Sequence, residues 1–186
     1  LRGGQIIDIP IRSTHTLLVG NRYAAVGDAV SMPDPMNGSG ITNAVKAGAL
    51  LAETAAGIIK QGKPFGAAEL WDYQVKYYHQ AAYKAAAICV LKNCLLSYSA
   101  GALNFFFDKE ILTSKELGGS GQAMKMDRAE MMGKLKRGIL RPVSLLKLKK
   151  AVENSKEAKN TALAIPETYD DETVEAWRAK LNVLLA

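Results

Sequence analysis

The stretch RYAAVGDAVSMPDPMNGSGITNAVKAG, residues 22–48, decides how this chain is read. Arg22-Tyr23-Ala24-Ala25-Val26 is a short run of the buried-strand type that ends at Gly27-Asp28, and a loop carrying Pro33 and Pro35 follows it. From Gly40 to Lys60, Ile41, Ala44, Val45, Gly48, Leu51, Ala52, Ala55 and Ile59 recur at helical spacing, and Gly62 supplies a stop. The segment therefore reads as a strand, an acidic residue at its carboxyl end, a glycine-rich loop and a helix that begins at the loop. In α/β folds ligands settle at such a place, because the strand end and the helix start leave a crevice lined by backbone N–H groups without partners. The amino end of the helix favours negative charge or an electron-rich carbonyl. Gly38 and Gly40 let the backbone approach a flat or phosphorylated ligand with no Cβ in the way. Asp28, if buried at the strand end, needs donors: ligand hydroxyls are one source, and capping of the following turn is the competing explanation. The Ala and Gly stripe on the helix predicts close packing against a sheet.

Working outward, Gln5 to Ile11 reads as a strand bounded by Gly3-Gly4 and Arg12-Ser13-Thr14, Thr16 to Val19 as a second short strand, and Gly20-Asn21 as a turn. Beyond the helix, Lys63-Pro64-Phe65-Gly66 turns the chain into a long helical pattern from Ala67 to about Tyr98, with Leu70, Tyr73, Tyr77 and Ala81 in its apolar stripe. The remainder is helix and loop. Gly118 to Gly121 is a loop, Asp127 to Lys136 and Val143 to Asn154 are short basic helices, Ala164-Ile165-Pro166 breaks the pattern, and Glu172 to Leu185 closes the chain as an amphipathic helix. The expected fold class is an α+β fragment that is mostly helical. Leu1-Arg2-Gly3-Gly4, with no initiator Met and no flexible lead-in, points to a piece of a longer protein.

A hydrophobic content of 48% in 186 residues suits an ordinary globular core and argues against disorder. The net charge of +6 permits attraction to phosphates, anionic lipid or nucleic acid without choosing among them. Cys89 and Cys94, five apart in a helical pattern, point to different sides of the helix and are poorly placed to bridge, so a reducing, cytoplasmic setting is the simpler expectation. His15 and His79 lie in different elements with no acidic or cysteine partner at ligand spacing, and no metal site is expected. Ser31, Ser39 and Cys94 lack the context of an activated nucleophile.

The run Ala25-Val26-Gly27-Asp28-Ala29, then Pro35-Met36-Asn37-Gly38-Ser39-Gly40-Ile41, then Ala44 and Ala47-Gly48, resembles the second flavin-binding motif of the p-hydroxybenzoate-hydroxylase-like flavoproteins. Within them its continuation is similar to the geranylgeranyl reductases and their relatives, and the chain looks like a carboxy-terminal fragment of that family. Aromatic hydroxylases more often show Gly-Gln-Gly followed by Asn and a later Asp, and Ser39 and Ala44 to Gly48 depart from that version. The resemblance implies FAD as cofactor. Asp28 would hydrogen-bond its ribityl hydroxyls, Gly27 would let the chain pass close, and Pro35 would shape the loop beside the ring. Backbone N–H groups around Gly38, Ser39, Gly40 and Ile41 would face the pyrimidine edge, tuning the reduced ring electronically. The family commonly has a small Ala-Gly pair after the aspartate, whereas this chain has Ala29-Val30-Ser31-Met32, so the loop toward Pro35 is expected to differ in shape. The implied division is residues 1–20 as the end of a substrate-binding sheet, 21–62 as the carboxy-terminal part of an FAD domain, and 63–186 as a helical region. The Gly-x-Gly-x-x-Gly unit that holds the ADP half of FAD in such proteins does not occur in the sequence.

The activity so implied is reduction of isoprenoid double bonds in a lipid or a chlorophyll-type tail, with an external electron donor. No residue is assigned as the proton donor. A flavin-dependent monooxygenase or halogenase, or a non-enzymatic helical module that binds lipid or a partner, remains as an alternative. Tyr73, Tyr77, Tyr78 and Tyr83, with Phe105-Phe106-Phe107, form either core or the wall of an apolar tunnel. Lys134, Lys136, Arg137, Arg141, Lys147, Lys149 and Lys150, interleaved with Leu135, Ile139, Leu140, Leu145, Leu146 and Leu148, form either a solvated face over ordinary core or a peripheral membrane contact through 134–150. Nucleic acid is not an expected partner, since no recognised binding module accompanies the charge.

Overall fold

A computed structural model describes residues 11, 13, 15–113 and 128–186. The expected strand from Gln5, and the Gly118 to Gly121 loop, lie outside the described residues. As the composition implies, the fold is mostly helical with short strands. β1 (Val19–Gly20) and β2 (Tyr23–Ala24) form an antiparallel hairpin, with Val19 opposite Ala24 and Gly20 opposite Tyr23. Both strands are shorter than their apolar runs, because each has only the other to pair with among the described residues. A single 3-10 turn, Gly27–Val30, follows β2 and leads into the loop and α1 (Ile41–Lys60).

The expected long helix is α2 (Ala67–Tyr77) running without a break through a π-turn, Tyr78–Ala82, into α3 (Tyr83–Leu96). Ser97-Tyr98 ends it. Ser99 then caps α4 (Ala100–Asp108), its hydroxyl accepting from the Ala102 N–H at 3.3 Å. The basic helices are α5 (Arg128–Arg137) and α6 (Pro142–Leu163), the second nearly three turns longer than its periodicity suggested. α7 (Asp171–Leu185) begins at Asp170, whose carboxylate accepts from the Thr173 N–H at 2.9 Å. That bond holds the Asp170 carboxyl below the usual carboxylate range.

The main core lies among α1, α2, α3, α6 and α7. Trp71, Tyr73, Tyr77, Tyr78, Leu70, Ala86, Ala158, Ala162 and Leu181 sit in it with almost no exposure. The α3–α6 contact is lined by Ala86, Cys89, Ala151 and Ala158, small side chains that let two helices approach closely. Both cysteines are buried free thiols. Trp71 stands edge-on to Tyr169 (5.3 Å) and Trp177 (6.4 Å), and its indole N–H donates to the Pro166 carbonyl at 2.7 Å. Tyr73, Tyr77 and Tyr78 are therefore core. Burial pushes the Tyr77 hydroxyl up to about 12 and raises those of Tyr73 and Tyr78 as well. Among the described residues no single helix is long and apolar enough to cross a membrane, and the α2–α3 helix meets α4 at 112°.

Helix α2 and the first residue of the π-turn carry the polar side chains that fix the extended segment 15–25. Gln74, fully buried, accepts from the Leu18 N–H at 2.7 Å and donates to the Thr16 carbonyl at 3.1 Å. Tyr78 donates to the His15 carbonyl at 2.8 Å, and Tyr73 to the Ala25 carbonyl at 2.9 Å. A buried backbone group left unpaired costs about 1–3 kcal/mol, so Gln74→Leu, which strands two of them, is expected to lower stability by about 2–6 kcal/mol in urea unfolding. A loss below ~1 kcal/mol would show that these bonds contribute little.

Candidate functional site

The strand-end segment folds as its own turn chemistry demands. Gly27 takes φ +69°, a left-handed value, and Asp28 follows in the 3-10 turn, which Ser31 closes at φ +53°. Met32 then plugs the turn from inside: it is 2% exposed, its N–H donates to the Gly27 carbonyl at 3.2 Å, and its sulfur accepts from the Gly27 N–H at 3.0 Å. The Met32 carbonyl in turn accepts from the Asn43 side-chain amide at 3.0 Å, tying the turn to the first turn of α1. This is how the chain accommodates Ala29-Val30-Ser31-Met32.

The loop beyond is held by two residues that the motif reading did not single out. Asp34 accepts from the Met36 N–H at 2.8 Å and the Asn37 N–H at 3.2 Å, and its own N–H donates to the Ser39 carbonyl at 2.9 Å. Asn37 accepts from the Ser39 N–H at 2.8 Å. These are Asx turns, and Pro33-Asp34-Pro35 and Asn37-Gly38 were their visible signal. Pro33 and Pro35 are buried. A Cβ at Gly40 would stand 3.1 Å from Pro33 Cγ, a tight contact that a larger residue could make only if Pro33 gave way by a few tenths of an ångström.

On the rim of this segment Asp28, Ser39 and Ile41 are exposed and Gly38 and Gly40 half-buried, while Pro35 is buried, and the 3-10 turn that carries Asp28 packs against α1, where a Cβ at Gly27 would stand 3.7 Å from Ala44 Cβ. Asp28 is exposed rather than buried, and its carboxylate has no hydrogen-bond or ion-pair partner among the described residues. It does not cap the 3-10 turn, and its exposure removes the demand for donors that burial would have imposed. The Gly38 N–H donates to the Asp34 carbonyl at 2.9 Å and that of Ser39 to Asn37, so both serve the loop itself. By contrast, the N–H groups of Gly40 and of the first residues of α1 have no acceptor among the described residues, as expected at a helix start without a side-chain cap. The rim thus offers one unpaired carboxylate and a cluster of unpaired N–H donors. It can hold a ligand that presents hydroxyls to the first and electron-rich oxygen or nitrogen to the second.

The face of α1 differs from expectation. Its buried positions are Ala47, Leu50, Thr54 and Ile58, which lie toward α2, whereas Ile41, Val45 and Ile59 of the Ala and Gly stripe are exposed at 83%, 67% and 66%. The helix is apolar on two faces, and the periodicity had registered the uncovered one. A groove of about 610 Å³ lies along the carboxyl half of α1 and α2. Polar bonds cross it: Lys76 bonds Asp72 at 2.9 Å and Glu53 at 3.4 Å, and Thr54 donates to Asp72 at 3.0 Å. It is an inter-helix lock rather than part of the loop rim.

No family model matches the chain. A curated relative, the digeranylgeranylglycerophospholipid reductase of Sulfolobus acidocaldarius, is 24% identical over an alignment that covers all of this chain and 40% of that protein. The chain thus spans well under half of the relative's length, and over that span it is similar to a geranylgeranyl-reductase-type oxidoreductase.

Proposed function

We propose that this chain forms the riboflavin side of an FAD site in an oxidoreductase that saturates isoprenoid double bonds of a lipid. The observation that carries the reading is an exposed, unpartnered Asp28 joined to the uncapped start of α1 by one hydrogen-bonded loop, in a chain similar over its whole length, at 24% identity, to a digeranylgeranylglycerophospholipid reductase. These residues fit a flavin. Asp28 would accept from ribityl hydroxyls, Gly27 and Gly38 would keep the backbone close, and Pro35 would support the loop from below. The N–H groups of Gly40 and Ile41 would donate to the pyrimidine edge, where the helix dipole favours negative charge. Ser39 would stand at the rim between these groups. FAD, when bound, supplies the hydride for alkene reduction. The remaining wall of such a pocket is read as coming from the rest of a longer protein. The uncovered apolar face of α1, from Ile41 to Ile59, suits contact with it, because a helix apolar on two faces is stable when both are covered.

The test is made on the full-length protein. It is expected to purify with flavin absorbance, and to saturate an isoprenoid alkene anaerobically when a chemical reductant replaces the electron donor. A correctly folded, colourless protein that ignores added FAD would overturn the reading; a strict need for oxygen would move it to the monooxygenases.

A further inference from the structure

We propose that the corner between α5 and α6 docks onto the surface of an anionic lipid bilayer. This goes beyond the flavin reading and does not rest on it. The corner belongs to a second, small core in which Phe106, Ile111 and Leu112 are buried and Leu95, Tyr98, Phe105, Leu145 and Leu148 pack around them. It is firmly built: a Cβ at Gly138 would meet Leu145 at 2.9 Å and Ile111 at 3.3 Å, and Tyr98 donates to the Ser144 carbonyl at 2.8 Å. Leu145 and Leu148 face that core, and Lys134 is buried, so the stretch 134–150 is not one uniform surface.

What remains outside is sharply defined. Ile139, Leu140, Val143 and Leu146 are 72%, 75%, 78% and 66% exposed. The first two occupy the turn, and the other two, three residues apart, share one face of the first turns of α6. Around them are the exposed cations Lys136, Arg137, Arg141, Lys147, Lys149 and Lys150, and the sequence from 131 to 152 holds no Asp or Glu. Arg137 meets Glu110 at 3.1 Å and Lys149 reaches Glu153 at 3.9 Å. Arg141 lies over the Phe105 ring at 5.5 Å and Lys147 over that of Tyr98 at 5.3 Å, which places two positive heads on aromatic faces of the small core.

A bilayer answers both halves of this surface, offering an apolar layer to the four aliphatic side chains and phosphate charge to the cations around them. A second copy of the chain meeting corner to corner would set cations against cations. Nucleic acid would pair the charges and leave the aliphatics in water.

The test is cosedimentation of the full chain with phosphatidylcholine vesicles with and without phosphatidylglycerol. Neither contains an isoprenoid chain, and no flavin or turnover is needed, so the outcome is separate from that of the reductase reading. Binding is expected to be at least about tenfold tighter to the anionic vesicles and to weaken in ~1 M salt, where the Debye length falls to about 3 Å. Leu140→Ser with Val143→Ser, which changes no charge, is expected to weaken it by about tenfold or more. Lys136→Glu with Lys150→Glu is expected to do the same, and far-UV circular dichroism should be unchanged in both variants because all four positions are exposed. Equal binding to both vesicle types, or full binding by the serine variant, overturns the proposal. So does a drop in oligomer mass on making the serine variant in the absence of vesicles, which would identify the corner as a contact between copies.

Discussion

Asp28→Ala in the full-length protein is expected to weaken FAD binding about tenfold to a hundredfold, since a hydrogen bond to a charged group contributes about 1.5–3 kcal/mol and ~1.4 kcal/mol is tenfold in affinity. Its unfolding midpoint is expected to stay where it is. The two outcomes separate because the carboxylate has no partner among the described residues, so the fold loses nothing when it is removed. Asp28→Asn keeps one acceptor oxygen without the charge and should fall between. Fluorescence titration of the apoprotein with FAD, beside thermal melts of the same samples, reads both. Unchanged affinity in the alanine variant would remove Asp28 from the site, and a lowered melting temperature without ligand would make it a structural residue.

Trp177→Ala should destabilise the protein by about 3–5 kcal/mol, the cost of a core cavity, while the Thr161 carbonyl keeps the Ala164 N–H at 3.2 Å. Trp177 is 7% exposed, its indole N–H donates to the Thr161 carbonyl at 2.7 Å, and its ring meets Tyr78 at 5.0 Å and Trp71 at 6.4 Å. It joins α7 to both α6 and the α2 helix, so its removal loosens three elements together. With domain stabilities of about 5–15 kcal/mol, a substantial unfolded fraction at 37 °C is the expected result. Equilibrium urea unfolding measures it. Trp177→Phe should restore part of the packing but not the Thr161 bond, and an alanine variant within ~1 kcal/mol of the parent would show that α7 is not integral to the core.

Where local chemistry alone decides the conformation, the sequence was a good guide. The Gly40 to Lys60 periodicity and the Gly62 stop located α1 within a residue, Gly27 and Gly38 stand where the backbone turns left-handed, and Gly40 stands where Pro33 comes close. Burial was harder to see. A helix apolar on two faces gives two candidate stripes, and only the position of α2 decides that Ala47, Leu50, Thr54 and Ile58 form the covered one. The π-turn at Tyr78 left no mark, because Tyr78-His79-Gln80-Ala81-Ala82 contains no proline or glycine to interrupt a helical pattern. α4 was hidden by the apolar character shared across Ala81 to Phe107, although the Ser99 cap was there to be read. At the site, the glycines, Pro35 and Asp28 stood out from their pattern. The members that hold the loop, Met32, Asp34, Asn37 and Asn43, did not, since their role is to bond backbone groups whose positions only the fold defines.

The three side chains by which α2 and the start of the π-turn grip the segment 15–25 also make part of this helix intolerant of changes in length. Each residue along an α-helix turns about 100°, so inserting or deleting one residue between Ala67 and Tyr73 would swing Tyr73, Gln74 and Tyr78 off their acceptors together. Related chains are accordingly expected to vary in length in the connections on either side of α2, and to keep the count from Tyr73 to Tyr78 fixed. In an uncertain alignment, that spacing is the ruler by which the strand end and Asp28 are to be positioned.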